Sequence, residues 1–184
     1  MEGVTRRAEE LLEEVPEWIW DGSTLPIPVE DIADSYFGLL IRDVEDMTAA
    51  PGCPSVASDQ TISGLLLPSR NEIWVNAEEA RRWPPRRRFT IGHELGHLVL
   101  HQDEQMSLFC RHGSIDDPDT ARPKGERPLL DLIEEQANWF SASLLMPAGL
   151  IRRHYEETEG DFDRLCTIFG CSGAAMGRRL HQVI

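Results

Sequence analysis

A chain of 184 residues is enough for one ordinary domain and too short for two comfortable ones. With 41% hydrophobic residues it can build a core, which excludes wholesale disorder. A formal net charge of -14 repels phosphate backbones, so direct nucleic-acid binding is not expected.

The N-terminal stretch MEGVTRRAEELLEEVPEW lacks the apolar centre of a signal peptide, and no apolar run in the chain approaches membrane-spanning length. These features predict a cytoplasmic protein without a membrane partner. The four cysteines (Cys53, Cys110, Cys166, Cys171) are then expected as reduced thiols, and their spacing matches no zinc ribbon or CxxC pair.

Residues 4–14 read as a short amphipathic helix ended by Pro16. WIWDGSTLPIP follows as a loop rich in turn formers. PVEDIADSYFG reads as a helix with Pro28 in an early position and Gly38 as its stop. LLIRDVE (39–45) is short and β-like. After the punctuation AAPGCPS, the runs ISGLLLP and EIWVN, joined by SRN, read as a β-hairpin.

RRWPPRRRF (81–89) carries five arginines. Its plain reading is a solvated loop and helix start; its sharper reading is a patch for an acidic partner. A helix then runs from about 86 to 102. The polar stretch at 112–128, with three prolines, reads as a surface loop. PLLDLIEEQANWFSASLLMP forms a strong helix bounded by Pro128 and Pro147, and the tail gives two short helices around residues 170–173. The expected layout is a single domain: an N-terminal extension (1–25), a core (26–150) and C-terminal helices (151–184).

The helix at 86–102 contains HELGHLVLH. At about 100° per residue, with His93 at zero, His97 lies near roughly 40°, His101 near roughly 80° and Glu94 near roughly 100°. Ile91, Leu95, Leu98 and Val99 fall at roughly 140–240° and form an apolar stripe. Two histidines one turn apart can bind one zinc ion, and Glu94 beside them can take a proton from a water acidified by that ion. The bland alternative is a pair of satisfied helix histidines.

A catalytic zinc needs a third protein ligand and an open position. Leu100 and Asp103 stand where the metzincin extension requires glycine and histidine, which excludes that class. Cys53 in PGCPS lacks the surroundings of a deformylase cysteine. The helix at 128–147 offers Glu134 and Glu135. Glu134 and Asn138 are one turn apart, so Glu134 can serve as the ligand while Asn138 fixes the tautomer of a ligand histidine. His101, two turns from His93, has either a supporting or a plain structural role, and His112, His154 and His181 have no functional context.

At this point the chain resembles the ImmA/IrrE metallopeptidases. Their pattern is an arginine-rich lead into F-T-x-x-H-E-x-x-H-x-x-x-H, followed later by E-x-x-A-N-x-F-A and L-L-M-P. Here those stretches read RRRFTIGHELGHLVLH and EEQANWFSASLLMP, with Ser141 where the family usually has alanine. The tail LCTIFGCSGAAMGRRL is similar to the family's closing helical pair, and the resemblance covers roughly residues 25 to 184.

The resemblance implies an α+β fold, a compact zincin-like domain of the gluzincin type. In it a small antiparallel sheet lies beside the HExxH helix and a second, Glu-bearing helix, with a C-terminal helical pair. It implies one catalytic Zn2+ held by His93, His97 and Glu134, with Glu94 as base and acid. Substrate peptide would pair along an edge strand, for which Ile73, Trp74 and Val75 in EIWVN are the candidates. The partner implied is a protein substrate, a helix-turn-helix repressor or an antitoxin. The alternatives are a zincin-fold module that sequesters such a partner without cutting it, and a DNA-binding tail built on CSGAAMGRRL. Net acidity and the presence of only Arg178 and Arg179 on the last helix argue against the DNA-binding tail.

Overall fold

The computed structural model describes residues 1–50, 61–101, 109–112 and 129–184. Helix α1 (Glu2–Glu14) buries Val4, Ala8, Leu11 and Leu12, the stripe expected of an amphipathic helix. The short α2 (Val29–Asp31) continues into a wider π turn over Ile32–Tyr36 and stops at Gly38, whose positive φ of 69° suits glycine. Strands β1 (Leu40–Val44), β2 (Thr61–Leu67) and β3 (Glu72–Asn76) follow, the last two as a hairpin turning at Asn71.

Helix α3 (Ala77–Arg82) was not legible as a separate element, although Asn76 caps it by accepting the Glu79 N–H at 3.1 Å. Helix α4 (Pro84–Leu100) starts two residues earlier than expected, at Pro84, because proline fits the first helical turn. Then come β4 (Phe109–His112), α5 (Leu129–Leu145), α6 (Ala148–Glu157), α7 (Phe162–Phe169) and α8 (Gly173–Val183). No element was expected at α6 or β4. The loop expected at 112–128 lies outside the described residues from 113 onward, as does Cys53.

The sheet order is β1-β3-β2-β4. The sheet is mixed, which corrects the antiparallel expectation: β2 pairs antiparallel with β3 and β4, but β1 runs parallel to β3 over Leu40↔Glu72 to Val44↔Asn76. β3 therefore lies between two partners, and Ile73, Trp74 and Val75 cannot form a substrate edge. They are also buried, at 0%, 7% and 1% exposure. EIWVN is a core strand with both backbone edges paired. Among the described residues the outer strands are β1 and β4.

Both faces of the sheet are covered. Ile62, Leu65, Leu67 and Trp74 pack with Met47 and Ala50 on one side. Leu66, Ile73 and Val75 join Ile91, Leu95, Phe140 and Leu144 in the main core on the other. Helix α4 lies between this face and α5, and its residues from Thr90 to His97 are all buried. Helix α1 reaches α5 through the Trp139 indole N–H, donated to Thr5 Oγ1 at 2.8 Å, and the 3.2 Å contact of the Thr5 and Ser143 hydroxyls.

The arginine-rich stretch is spent internally. Arg81 pairs with Glu45 at 2.7 Å, Arg86 with Glu79 at 3.0 Å, and Arg87 with both Glu30 and Asp43. Arg88 donates to the Ile27 carbonyl at 2.7 Å, and Arg82 lies over the Trp83 ring. These contacts fasten α3 and α4 to the segments that precede them, which leaves little of the stretch for an acidic partner.

The C-terminal helices are fastened too. Leu165, Phe169 and Met176 are buried in the core, and buried Arg179 donates Nε–H to the Met146 carbonyl at 2.8 Å. Only Arg178 of the two adjacent arginines is exposed, so α8 reads as a buttress against the end of α5. Cys166 and Cys171 are free thiols. Among the described residues, no helix is long and apolar enough to cross a membrane.

Candidate metal centre

Two helices build the site. On α4, His93 and His97 project from one face a turn apart, and their Nε2 atoms lie 2.9 Å from each other. From α5, Glu134 places Oε2 3.3 Å from His93 Nε2 and Oε1 3.3 Å from His97 Nε2. The three offer ligand atoms that all lie within 4.8 Å of one another. One turn further along α5, Asn138 Oδ1 lies 3.0 Å from His93 Nδ1. An amide oxygen can only accept, so His93 carries a proton on Nδ1, which leaves Nε2, the nitrogen facing Glu134, as the one a metal would take.

Glu94 follows His93 and is fully buried under β2. Its carboxylate lies beside Gly64, where an added Cβ would stand 2.8 Å from Oε1 and 2.3 Å from Thr90 Cγ2. Glycine at this position lets the strand close down on the helix, and β2 carries a bulge between Ile62 and Gly64 where it pairs with β4. Burial pushes the Glu94 carboxyl above the usual glutamate range, and the neighbouring His93 and His97 only partly counter it. Among the described residues, neither Glu94 oxygen nor His97 Nδ1 makes a well-formed hydrogen bond; a looser contact with the Leu66 backbone N–H is the least of the influences that lower the Glu94 carboxyl.

For Glu134 the balance is reversed. Burial alone would raise its carboxyl, but hydrogen bonds and charge from His93 and His97 outweigh it and hold the group well below the usual range. The same contacts hold His93 above its ordinary value against the opposing effect of burial.

This donor set fits a divalent metal. Two imidazole nitrogens and one carboxylate are the protein half of a four-coordinate site with an open position. An unpartnered buried carboxylate next to it needs a polar group to accept from or donate to, and a water at that open position would supply one. The residues are held by packing rather than by loops, which suits a site that must keep its geometry.

The structure brings His93, His97, Glu134 and Asn138 together and puts Glu94 alongside. Glu135, the other glutamate of the pair, is outside the ligand group. His101 ends α4, with its ring centroid 5.9 Å from that of His97, and it too is outside the group. Tyr155 packs against Gly160 and lines a groove with Leu180 and Ile184. Sequence reading missed Gly64, Gly92 and Gly96. The signal for the last two was present, as glycines four apart, each preceding a histidine of the motif.

An α+β domain of the zincin-like kind, with a His-His-Glu group that could hold a metal ion, is what this fold and this site define. The family described as IrrE N-terminal-like domain, Peptidase_M78, matches residues 54–181, and the chain belongs to that family. No curated protein matches the chain. Among solved structures, a Mycobacterium tuberculosis transcriptional regulator is similar at 19% identity with a TM-score of 0.60. That similarity covers 98% of this chain and 47% of the regulator, so the chain spans about half the length of that structure.

Proposed function

We propose that the protein is a zinc-dependent endopeptidase that cleaves a specific protein partner, a helix-turn-helix repressor or antitoxin encoded nearby. The observation that carries this reading is the convergence of His93, His97 and Glu134 beside an unpartnered, buried Glu94. A site built only to hold a metal for stability needs no adjacent base. Family membership supports metallopeptidase chemistry, and the repressor partner rests on the resemblance to ImmA/IrrE proteins.

When bound, the ion supplies Lewis acidity toward water and toward a peptide carbonyl. His93 and His97 hold it through Nε2, and Asn138 keeps His93 in the tautomer that can do so. Glu94 takes the proton of the attacking water on a carboxylate oxygen. The raised affinity of that carboxylate for a proton suits the task, and the same group returns the proton to the leaving amine. The packed wall of β2 over Glu94 keeps bulk water from competing for it.

The test is incubation of the protein with the purified repressor under three conditions: with Zn2+, with chelator, and with Glu94→Gln in place of the wild type. Cleavage only in the first is expected. Cleavage by Glu94→Gln at the wild-type rate would refute the proposed role of the base. An intact repressor held in a stable complex in all three would point instead to a sequestering module.

A further inference from the structure

The metal ligands come from two helices, so the gap between those helices decides whether their atoms meet. Along α4, Gly92 and Gly96 each sit one residue before a site histidine. Along α5, Ala137 and Ser141 each lie three residues after Glu134 and Asn138, on the same face. Gly96 faces Ala137 and Gly92 faces Ser141, so the pairs run in opposite order along two antiparallel helices. The small residues and the ligand set are thus neighbouring stripes on one helix pair.

The contacts leave no room for a side chain. A Cβ at position 96 would stand 3.0 Å from Ala137 Cα, 3.1 Å from its carbonyl oxygen and 3.3 Å from Phe140 Cβ. Two of these are backbone atoms, which no rotamer change can remove, so α5 itself would have to retreat. A Cβ at position 92 would stand 2.6 Å from Ser141 Oγ but 3.4 Å from Ser141 Cβ. Ser141 Oγ cannot simply turn aside without loss, because it donates to the Phe89 carbonyl of α4 at 2.8 Å.

We propose that Gly92 and Gly96, with Ala137 and Ser141 opposite, are positioning residues that set the spacing of the metal-ligand triangle. This rests on the reading of His93, His97 and Glu134 as metal ligands. Ligand distances at a metal site are held to within about 0.2 Å. A retreat of α5 by a few tenths of an ångström therefore moves Glu134 off its mark, while the rest of the fold tolerates it.

The test uses the whole chain with Zn2+ alone, its affinity read by competition with a chromophoric chelator. Visible spectra of the Co2+-loaded protein and thermal denaturation in excess chelator accompany it. Gly92→Ala and Gly96→Ala are expected to lose about tenfold or more in Zn2+ affinity and to alter the Co2+ spectrum. Gly149→Ala, at a helical glycine of α6 with nothing within 4 Å, should retain both. Alanine is the better helix former at all three positions, so helix stability alone predicts no loss. Adding Ser141→Ala to Gly92→Ala should recover most of the affinity, because the 2.6 Å contact disappears and only those at 3.4 Å and 3.5 Å, ordinary van der Waals distances, remain.

Gly92→Ala and Gly96→Ala binding Zn2+ as tightly as the wild type would overturn the inference alone. So would a double variant no better than Gly92→Ala. If Gly96→Ala fails to fold, the Gly92 and Ser141 pair decides. A wild-type protein that takes up neither Zn2+ nor Co2+ would overturn the metal-site reading, and this inference with it.

Discussion

Glu94 should cost the metal-free protein stability, and Glu94→Gln should recover it. The side chain is 0% exposed, and among the described residues neither carboxylate oxygen makes a well-formed hydrogen bond. An unsatisfied buried polar group costs about 1–3 kcal/mol, and a charged one stands at the upper end. Glutamine keeps the shape and removes the charge, so the chelated variant should be more stable by about 1–3 kcal/mol. In a chain of this size each kcal/mol moves Tm by about 2–4 °C, which predicts a gain of about 2–12 °C. The assay is thermal denaturation by circular dichroism at neutral pH in excess chelator. Because burial raises the folded carboxyl above its unfolded value, wild-type stability falls as pH climbs through that window. The gain from Glu94→Gln should accordingly shrink as pH is lowered toward the ordinary glutamate range. An unchanged or lower Tm for Glu94→Gln in chelator would refute the idea that the protein maintains an incompletely compensated base in its core.

Three further outcomes are expected. Glu134→Gln should lower Zn2+ affinity by about two orders of magnitude or more, whereas Glu135→Gln should stay within about threefold, as measured by chelator competition. Asn138→Ala should weaken Zn2+ by about 10–100-fold without removing a ligand, because it frees the His93 tautomer. Cys171 should resist alkylation at pH 8 in the folded protein, since burial pushes its thiol up to about 12 and leaves almost no thiolate; mass spectrometry should show labelling rising as pH is raised, and fast labelling at pH 8 would contradict the buried placement.

Much of the site was legible because its parts are local. His93 and His97 share a helical face by spacing alone, and Glu134 and Asn138 do so on a second helix. The choice of Glu134 over Glu135 also followed from helical spacing, because only Glu134 aligns with Asn138. What could not be read was the depth at which Glu94 sits. Nothing in HELGH says that β2 will close over it, since that depends on Gly64, 30 positions upstream. The role of EIWVN failed for the same kind of reason. Its alternation and turn residues mark a strand, but which strands flank it depends on where β1 docks, and β1 is exposed and weakly patterned. The arginine-rich stretch looked available because its partners, Glu30, Asp43 and Glu45, are distant in sequence.

The sequence by itself determined which side chains meet at the candidate site, because residue type and helical period are properties of short segments. It also determined the stripe that α1 buries, because burial there follows the same period. Only the tertiary structure decided the order of the sheet, the burial of the base and the fate of the arginines. Each of these depends on how closely two distant backbones approach. For the burial of the base, that approach depends on the absence of a side chain at Gly64, and a missing atom leaves no periodic mark in a sequence.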